Sequence, residues 1–330
     1  MLRYVIRRIL WSCVLMLGVT LVTFVLFYLA PESPERAVCG GVGGNSASPE
    51  CMRRATKKLG LDRPIYYQYG LFLKRLVIDR TLGTSFISKQ PVSHVIGRAS
   101  RVTASLVFGG AVLWLLTGLA VGILSALRPR SLLVRAGMVF VLIGVSAHPV
   151  WIGLIFSYFF GYKLRNFPIH TPIAGYAPIL NPAPGQPGGL VQWAYHLILP
   201  WMTFAILYAA LYARMIRANV LETSSEDFVR TARAKGAPEG LVLRSHILRN
   251  ALLPVVTMLG MDIGLALGGA IFTENVYNLP GLGQAALRAA TYGDLMILQG
   301  IVVFATFSIV VFNLFVDLLY AWIDPRIRLA

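Results

Sequence analysis

The chain has 330 residues, of which 56% are hydrophobic and only 13% charged, with a mean hydropathy of +0.67; a soluble domain carries about 25% charge. The net charge of +16 is not laid out as a basic stripe interleaved with aromatics on a polar domain, which argues against a nucleic-acid reader. There is no G-x-x-x-x-G-K-[ST], H-E-x-x-H, G-x-S-x-G or C-x-x-C motif, and His94, His148, His170, His196 and His246 are scattered. The chain is therefore expected to hold no catalytic residue, metal or cofactor of its own.

The apolar residues fall into runs near the ~20 residues that cross a hydrocarbon core. Six are predicted, at 9–30, 102–127, 136–161, 193–213, 251–273 and 298–322. The first has a basic start but exceeds a signal-peptide core and lacks an A-x-A site, so it reads as a retained helix. His148-Pro149 interrupts the third run and Pro200 the fourth. Prolines are tolerated where neighbouring groups re-satisfy the freed backbone.

Between the first two runs, residues 31–101 form a polar region. It is expected to carry a short helix at 50–59, a turn with an amphipathic helix over 59–77, and a polar lead-in from Pro91. Segment 162–192 is rich in Pro and Gly and reads as irregular. In 274–297, Pro280-Gly281 marks a turn before a short helix at 282–290.

Short loops carry the orientation signal. Arg3, Arg7 and Arg8, then Arg128, Arg130 and Arg135, then the 214–249 segment, and finally Arg326 and Arg328 fall on one side if there are six spans. That side is predicted to be cytoplasmic, with both termini on it. Region 31–101 holds twelve Lys and Arg yet lies opposite, as long loops translocate largely regardless of charge. The division expected is 1–30 for the N-terminus and first span, 31–101 outside, 102–322 for the five-span core with a loop at about 218–250, and 323–330 as an inner tail. Cys13 lies in the first span. Cys39 and Cys51 stand twelve apart in the outer region, where oxidising conditions permit a disulfide and leave free thiols equally open.

Residues 222–254, ETSSEDFVRTARAKGAPEGLVLRSHILRNALLP, read as a charged hairpin of two short helices. Merely joining two spans would need two to eight residues. Thr223 and Glu226 fit a capping box, Asp227 suits the first turn, Lys235 suits the last, and Gly236 followed by Pro238 marks a left-handed stop. Such a stiff elbow can pass force to both flanking spans. A solvated loop kept basic for topology is the plainer reading, and a DNA-reading helix-turn-helix is remote in a membrane-tethered loop.

These residues resemble the EAA loop of the membrane subunits of ATP-binding-cassette importers. EDFVRTARAKG and LRNALLPV are similar to the permeases of the dipeptide, oligopeptide and nickel family, as are YVIRRIL, LGLDRPIYYQY, LGTS, PGLG, DLMILQG and DLLYAWIDPRIR, so the likeness spans nearly the whole chain. It implies an all-α integral membrane fold, the type I importer permease with six transmembrane helices. It implies a subunit of an importer of di- or oligopeptides, with nickel chelates, glutathione-like compounds or sugars as alternative cargo. The partners implied are a second permease, two cytoplasmic ATPases that bind ATP and Mg, an extracytoplasmic substrate-binding protein and membrane lipid, with no nucleic acid. Carried over by position, Glu226, Phe228, Arg230, Thr231, Ala232, Arg233, Ala234, Lys235, Gly236 and Pro238 form the ATPase-coupling site. Arg230 stands where the general pattern has Glu. Arg80-Thr81-Leu82-Gly83 replaces the family's Gly-Asp-Leu-Gly, with the acid displaced to Asp79.

Asp262 falls near the middle of the fifth run, where a charge costs about 2.5–3.5 kcal/mol on insertion scales. Either it lines the translocation path, together with His148, or it makes a structural pair, for which His148 is the candidate partner. Asp317 reads as a packing residue near Arg326 and Arg328. The outer segments nominate Tyr67, Gly83, Glu274, Tyr277, Pro280 and Gly281 for contact with the binding protein. An autonomous channel or secondary transporter is the reading from another class, but the paired broken helices and multiple buried charges of such proteins are not evident.

Overall fold

The computed structural model describes residues 2–28, 49–59, 63–85, 87–164, 166, 171–179 and 188–323. Among them the chain is helical: α1 Leu2–Tyr28, α2 Pro49–Leu59, α3 Ile65–Val77, α4 Val92–Leu127, α5 Leu132–Ser146, α6 Pro149–Phe156 with a π-helical continuation Ser157–Lys163, α7 Leu190–Ser224 and α8 Asp227–Ala234. There follow α9 Glu239–Ala251, whose middle Val242–Leu248 is π-helical, α10 Leu253–Ala266, α11 Ile271–Val276, α12 Leu282–Tyr292 and α13 Leu295–Ile323. The only pairing of extended backbone described is an isolated bridge between Thr84 and Pro91.

Four described helices are long and apolar enough to span a membrane: Ile6–Val25, Val92–Leu127, Leu190–Ser224 and Leu295–Leu319. A fifth arises if Glu239–Ala251 and Leu253–Ala266, bent by 45° at Leu252, are taken together. The expected third run is broken where sequence placed the break. Ala147 and His148 are extended, Pro149 starts α6 at the position where its missing N–H costs nothing, and the His148 ring accepts the Val150 N–H at 3.3 Å. Neither piece alone is long enough to span. The fifth run is also shorter than expected, because Gly268 and Gly269 (φ +134°) stop α10 before α11.

Two compact units share the chain. The first comprises Met1–Thr103, Gly264–Ile271 and Pro280–Ala330. In it α1 packs along α13, and Arg8 pairs with Asp317 at 3.0 Å. Asp317, read from sequence as a packing residue, thus has an N-terminal partner; Arg326 and Arg328 lie outside the described residues. Tyr69 of α3 donates to the Leu17 carbonyl (3.1 Å) and stacks with Phe72, tying α3 to α1. Its core is Val92, Ile96 and Ala99 of α4 against Leu282 and Ala289 of α12 and Ile297 and Ile301 of α13.

The second unit comprises Ala104–Ile263 and Phe272–Leu279. Its centre is the close approach of α4 and α7. A Cβ on Gly118 would meet the Tyr212 Cβ at 2.8 Å, and one on Gly122 would meet the Ile216 Cβ at 2.8 Å. This Gly-xxx-Gly pair does what small residues do in membranes: it lets two backbones close together. Trp114 fills the gap above, stacked on Tyr208 with ring centres 4.6 Å apart.

Candidate coupling site and the outer segments

Helix α7 does not stop at the expected cap but runs on through Ser224. Thr223 is therefore inside its last turn, and the capping box expected between Thr223 and Glu226 is not formed. Instead Ser225 closes α7, its hydroxyl donating to the Glu222 carbonyl at 2.7 Å. Glu226 is the N-cap of α8 through its extended backbone, with no side-chain bond to the helix. Asp227 supplies the negative charge that favours a helix start.

Helix α8 is one and a half sided. Val229 and Ala232 are buried, while Phe228, Arg230, Thr231, Arg233, Ala234 and Lys235 are exposed. The buried pair lies on the side that packs against the π-helical stretch of α9, where Val242 and Ile247 are buried. A large aromatic, Phe228, remains 42% exposed in a helix that is otherwise charged on its outer face.

The stop at Gly236 is built as expected. Its φ is +78°, Ala237 N–H donates to the Ala232 carbonyl at 3.2 Å, and Gly236 N–H donates to the Arg233 carbonyl at 2.9 Å. This is the paired bonding of a Schellman motif. Pro238 then caps α9 in extended conformation. Arg233 of α8 reaches across the bend to Glu239 of α9 at 2.8 Å. Both groups are solvated, so the pair contributes only ~0.2–1 kcal/mol and is an accessory to the Schellman bonding at the bend.

Two further bonds, which the sequence did not reveal, clamp the elbow's flanks. Asn219 of α7 donates to the Ala251 carbonyl at the end of α9 (3.1 Å). Deeper, the Tyr212 hydroxyl of α7 donates to Asp262 of α10 at 2.7 Å. The expected pairing of Asp262 with His148 is not the one observed. The His148 ring caps its own helix and packs edge-on to Phe272 at 4.7 Å. The fourth span's aromatics were the available signal, but a tyrosine hydroxyl is anonymous until packing shows what it faces.

The outer candidates divide. Tyr67 is 40% exposed with the Arg63 guanidinium over its ring at 4.4 Å, and Gly83 (φ +83°) and Pro280 are exposed, whereas Gly281 is buried. Glu274 and Tyr277 are 0% and 1% exposed, so neither offers its side chain to a docking protein in this conformation. Tyr277 instead bonds Thr203 Oγ1 at 2.7 Å and its carbonyl accepts from Gly175 N–H, a structural knot of the second unit. Cys39 lies outside the described residues, and with it the choice between a disulfide to Cys51 and free thiols.

In the first unit, Ser85, residues 87–90, the start of α4 and the face of α12 line an open cavity of about 390 Å³. Asp294 at its floor caps α13, accepting from Ile297 N–H at 3.4 Å and from the buried Ser85 hydroxyl.

Comparison with known proteins places this geometry in a family. Residues 1–107 match the N-terminal model of the binding-protein-dependent transport system membrane components, and residues 118–329 match the model of the binding-protein-dependent transport system inner membrane component. The dipeptide transport system permease protein DppB of Alkalihalophilus pseudofirmus is 35% identical, over 99% of this chain and 100% of the relative. A putative peptide permease protein of Brucella suis is 37% identical over 99% of both chains. The probable D,D-dipeptide transport system permease protein DdpB of Escherichia coli K12 is 34% identical over 98% of this chain and 97% of its own. Among solved structures, the inward-facing MetNI methionine ABC transporter is similar in fold alone, with a TM-score of 0.53 at 17% identity over 70% of this chain and 96% of that one. With its apolar helices, its charged elbow and full-length relatives, the chain belongs to the binding-protein-dependent transport system inner membrane components.

Proposed function

We propose that the protein is one permease subunit of an ATP-driven importer of di- or oligopeptides. It would form half of the translocation path beside a second, similar permease, with 31–101 and 274–297 outside and both termini inside. The broken α5–α6 and the α10 segment would complete six spans once a partner and lipid surround them. No step of ATP chemistry falls to this chain; ATP and Mg would be held by two cytoplasmic ATPases, and a binding protein would deliver the cargo. The names of the relatives support peptides as that cargo.

The observation that carries the reading is the hydrogen-bonded elbow of α8 and α9. One face, Val229 and Ala232, is anchored, and the other presents Phe228, Arg230, Lys235 and Gly236 to solvent. An exposed aromatic ringed by basic groups suits a groove with an apolar floor and acidic rim on an ATPase. Helices α7 and α10 leave the elbow clamped together, so a push on it moves both. For alternating access, the ATP-closed ATPase pair need only favour the outward-facing form.

Cysteine placed at Lys235, in a background without native cysteines, is expected to crosslink to an ATPase subunit in native membranes. Efficient peptide uptake with no such crosslink from positions 228, 230, 235 or 236 would sink the coupling assignment. The Asp262 site is proposed to border the path beside its clamp with Tyr212, since its carboxylate is only half-buried.

A further inference from the structure

We infer that the cavity between α4 and α12 is a site for the terminal carboxylate of a short peptide with an apolar last side chain. The inference rests on the peptide reading above and names the part of that substrate the permease itself holds.

The argument is one of charge and shape. At about 390 Å³ the cavity falls within the range of small-ligand sites. Its body is apolar, formed by Val95 and Ala99 of α4, Ala285 and Ala289 of α12, and Ile297. Arg98 and Arg288 also line it, and among the described residues neither guanidinium is paired with a carboxylate. The one acid in the lining, Asp294, is 2% exposed and is already engaged by Ser85 and the start of α13. The cavity therefore sets two cations and one buried carboxylate around an apolar pocket, leaving an excess of positive charge.

Helical spacing explains why both arginines reach the rim of the cavity, where they stay exposed. Val95, Arg98 and Ala99 share one side of α4, and Ala285, Arg288, Ala289 and Tyr292 share one side of α12, at the i, i+3, i+4, i+7 positions of a single face. Two guanidiniums on one cavity repel each other, and a carboxylate relieves this while gaining forked N–H bonds. The C-terminal residue of a peptide supplies both features at once: a carboxylate, and, on the same carbon, a side chain for the apolar body. A cationic or purely apolar ligand would satisfy only half of the lining.

The test uses the whole transporter in nanodiscs, without binding protein, and a diazirine-bearing dipeptide, alanyl-photoleucine, in free-acid and C-terminal amide forms. The acid is expected to label residues 85–90, 95–99 or 285–292 on irradiation, and the amide to label them about tenfold less or weaker, the value of one charge-assisted bond pair. Arg98→Gln with Arg288→Gln should lower acid labelling to the amide level, while Arg98→Lys with Arg288→Lys retains part of it. Equal labelling by acid and amide, or labelling insensitive to the arginines, overturns the site. So does a defect of the arginine variants confined to binding-protein affinity, which would make the cavity a protein-docking socket. Uptake of dipeptide into proteoliposomes with the binding protein added is measured in parallel. If uptake is absent, the peptide reading itself fails; if uptake proceeds without cavity labelling, only this site falls.

Discussion

Asp262 illustrates how much one hydroxyl decides. A carboxylate in an apolar span needs a partner, and sequence offered a histidine at the break of another span. The structure gives it Tyr212, a hydrogen bond of 2.7 Å. Leaving such an acceptor unmet costs about 1–3 kcal/mol. Tyr212→Phe is therefore expected to lower the thermal stability of the purified complex by that order, and Asp262→Asn by less, because an amide oxygen still accepts. In a double-mutant cycle Tyr212→Phe and Asp262→Ala should be strongly non-additive, since both remove the same bond. Additive losses would show that Asp262 answers to another group. The arginines of the α4–α12 cavity teach the same lesson: their numbers lie far apart in the chain, and only the meeting of α4 with α12 makes them neighbours.

Among the helices, the elbow was the most legible element. Gly236 and Pro238 stand where helix-stop chemistry requires them, and the left-handed φ and paired carbonyl bonds follow. A Cβ at 236 would meet nothing within 4 Å, so any penalty there is conformational rather than steric. Gly236→Val should cost about 1–2 kcal/mol locally and uncouple ATP hydrolysis from uptake, whereas Gly236→Asn, which tolerates the left-handed region, should retain much of the coupling. Measured as peptide imported per ATP split, equal coupling in both variants would contradict the elbow role. The start of α8 was less legible. Thr223 and Glu226 have cap spacing, but α7 had no reason in the local sequence to end before Ser224, and a helix that continues turns a would-be cap into an ordinary last turn. At the α4–α7 contact the opposite holds: Gly122→Leu has no room, its Cβ already falling 2.9 Å from the Ala213 carbonyl. Overpacking of this kind costs about 1–3 kcal/mol or more, so that variant should accumulate poorly in membranes, while Gly137→Leu, whose Cβ would meet nothing within 4 Å, should accumulate normally.

For the whole molecule, topology is the quantity to test. With native cysteines replaced by serine, a single cysteine at Tyr66, 78% exposed on α3, should react with a membrane-impermeant maleimide from outside intact cells, and one at Lys235 only after the cells are opened. Labelling of both from the same side would reverse the assignment of the outer region. Hydropathy and helix-stop residues sufficed to determine a multi-pass helical chain, its charged elbow and the break at His148-Pro149, though not at Pro200, which lies inside a continuous α7, because crossing a bilayer and ending a helix are local demands written in consecutive residues. The tertiary structure alone decided that Tyr212 holds Asp262, that Arg8 holds Asp317, that Glu274 and Tyr277 are buried rather than offered outward, and that Arg98 and Arg288 share a cavity. Those are meetings of distant segments, and their energies depend on burial and distance, which no run of neighbouring residues records.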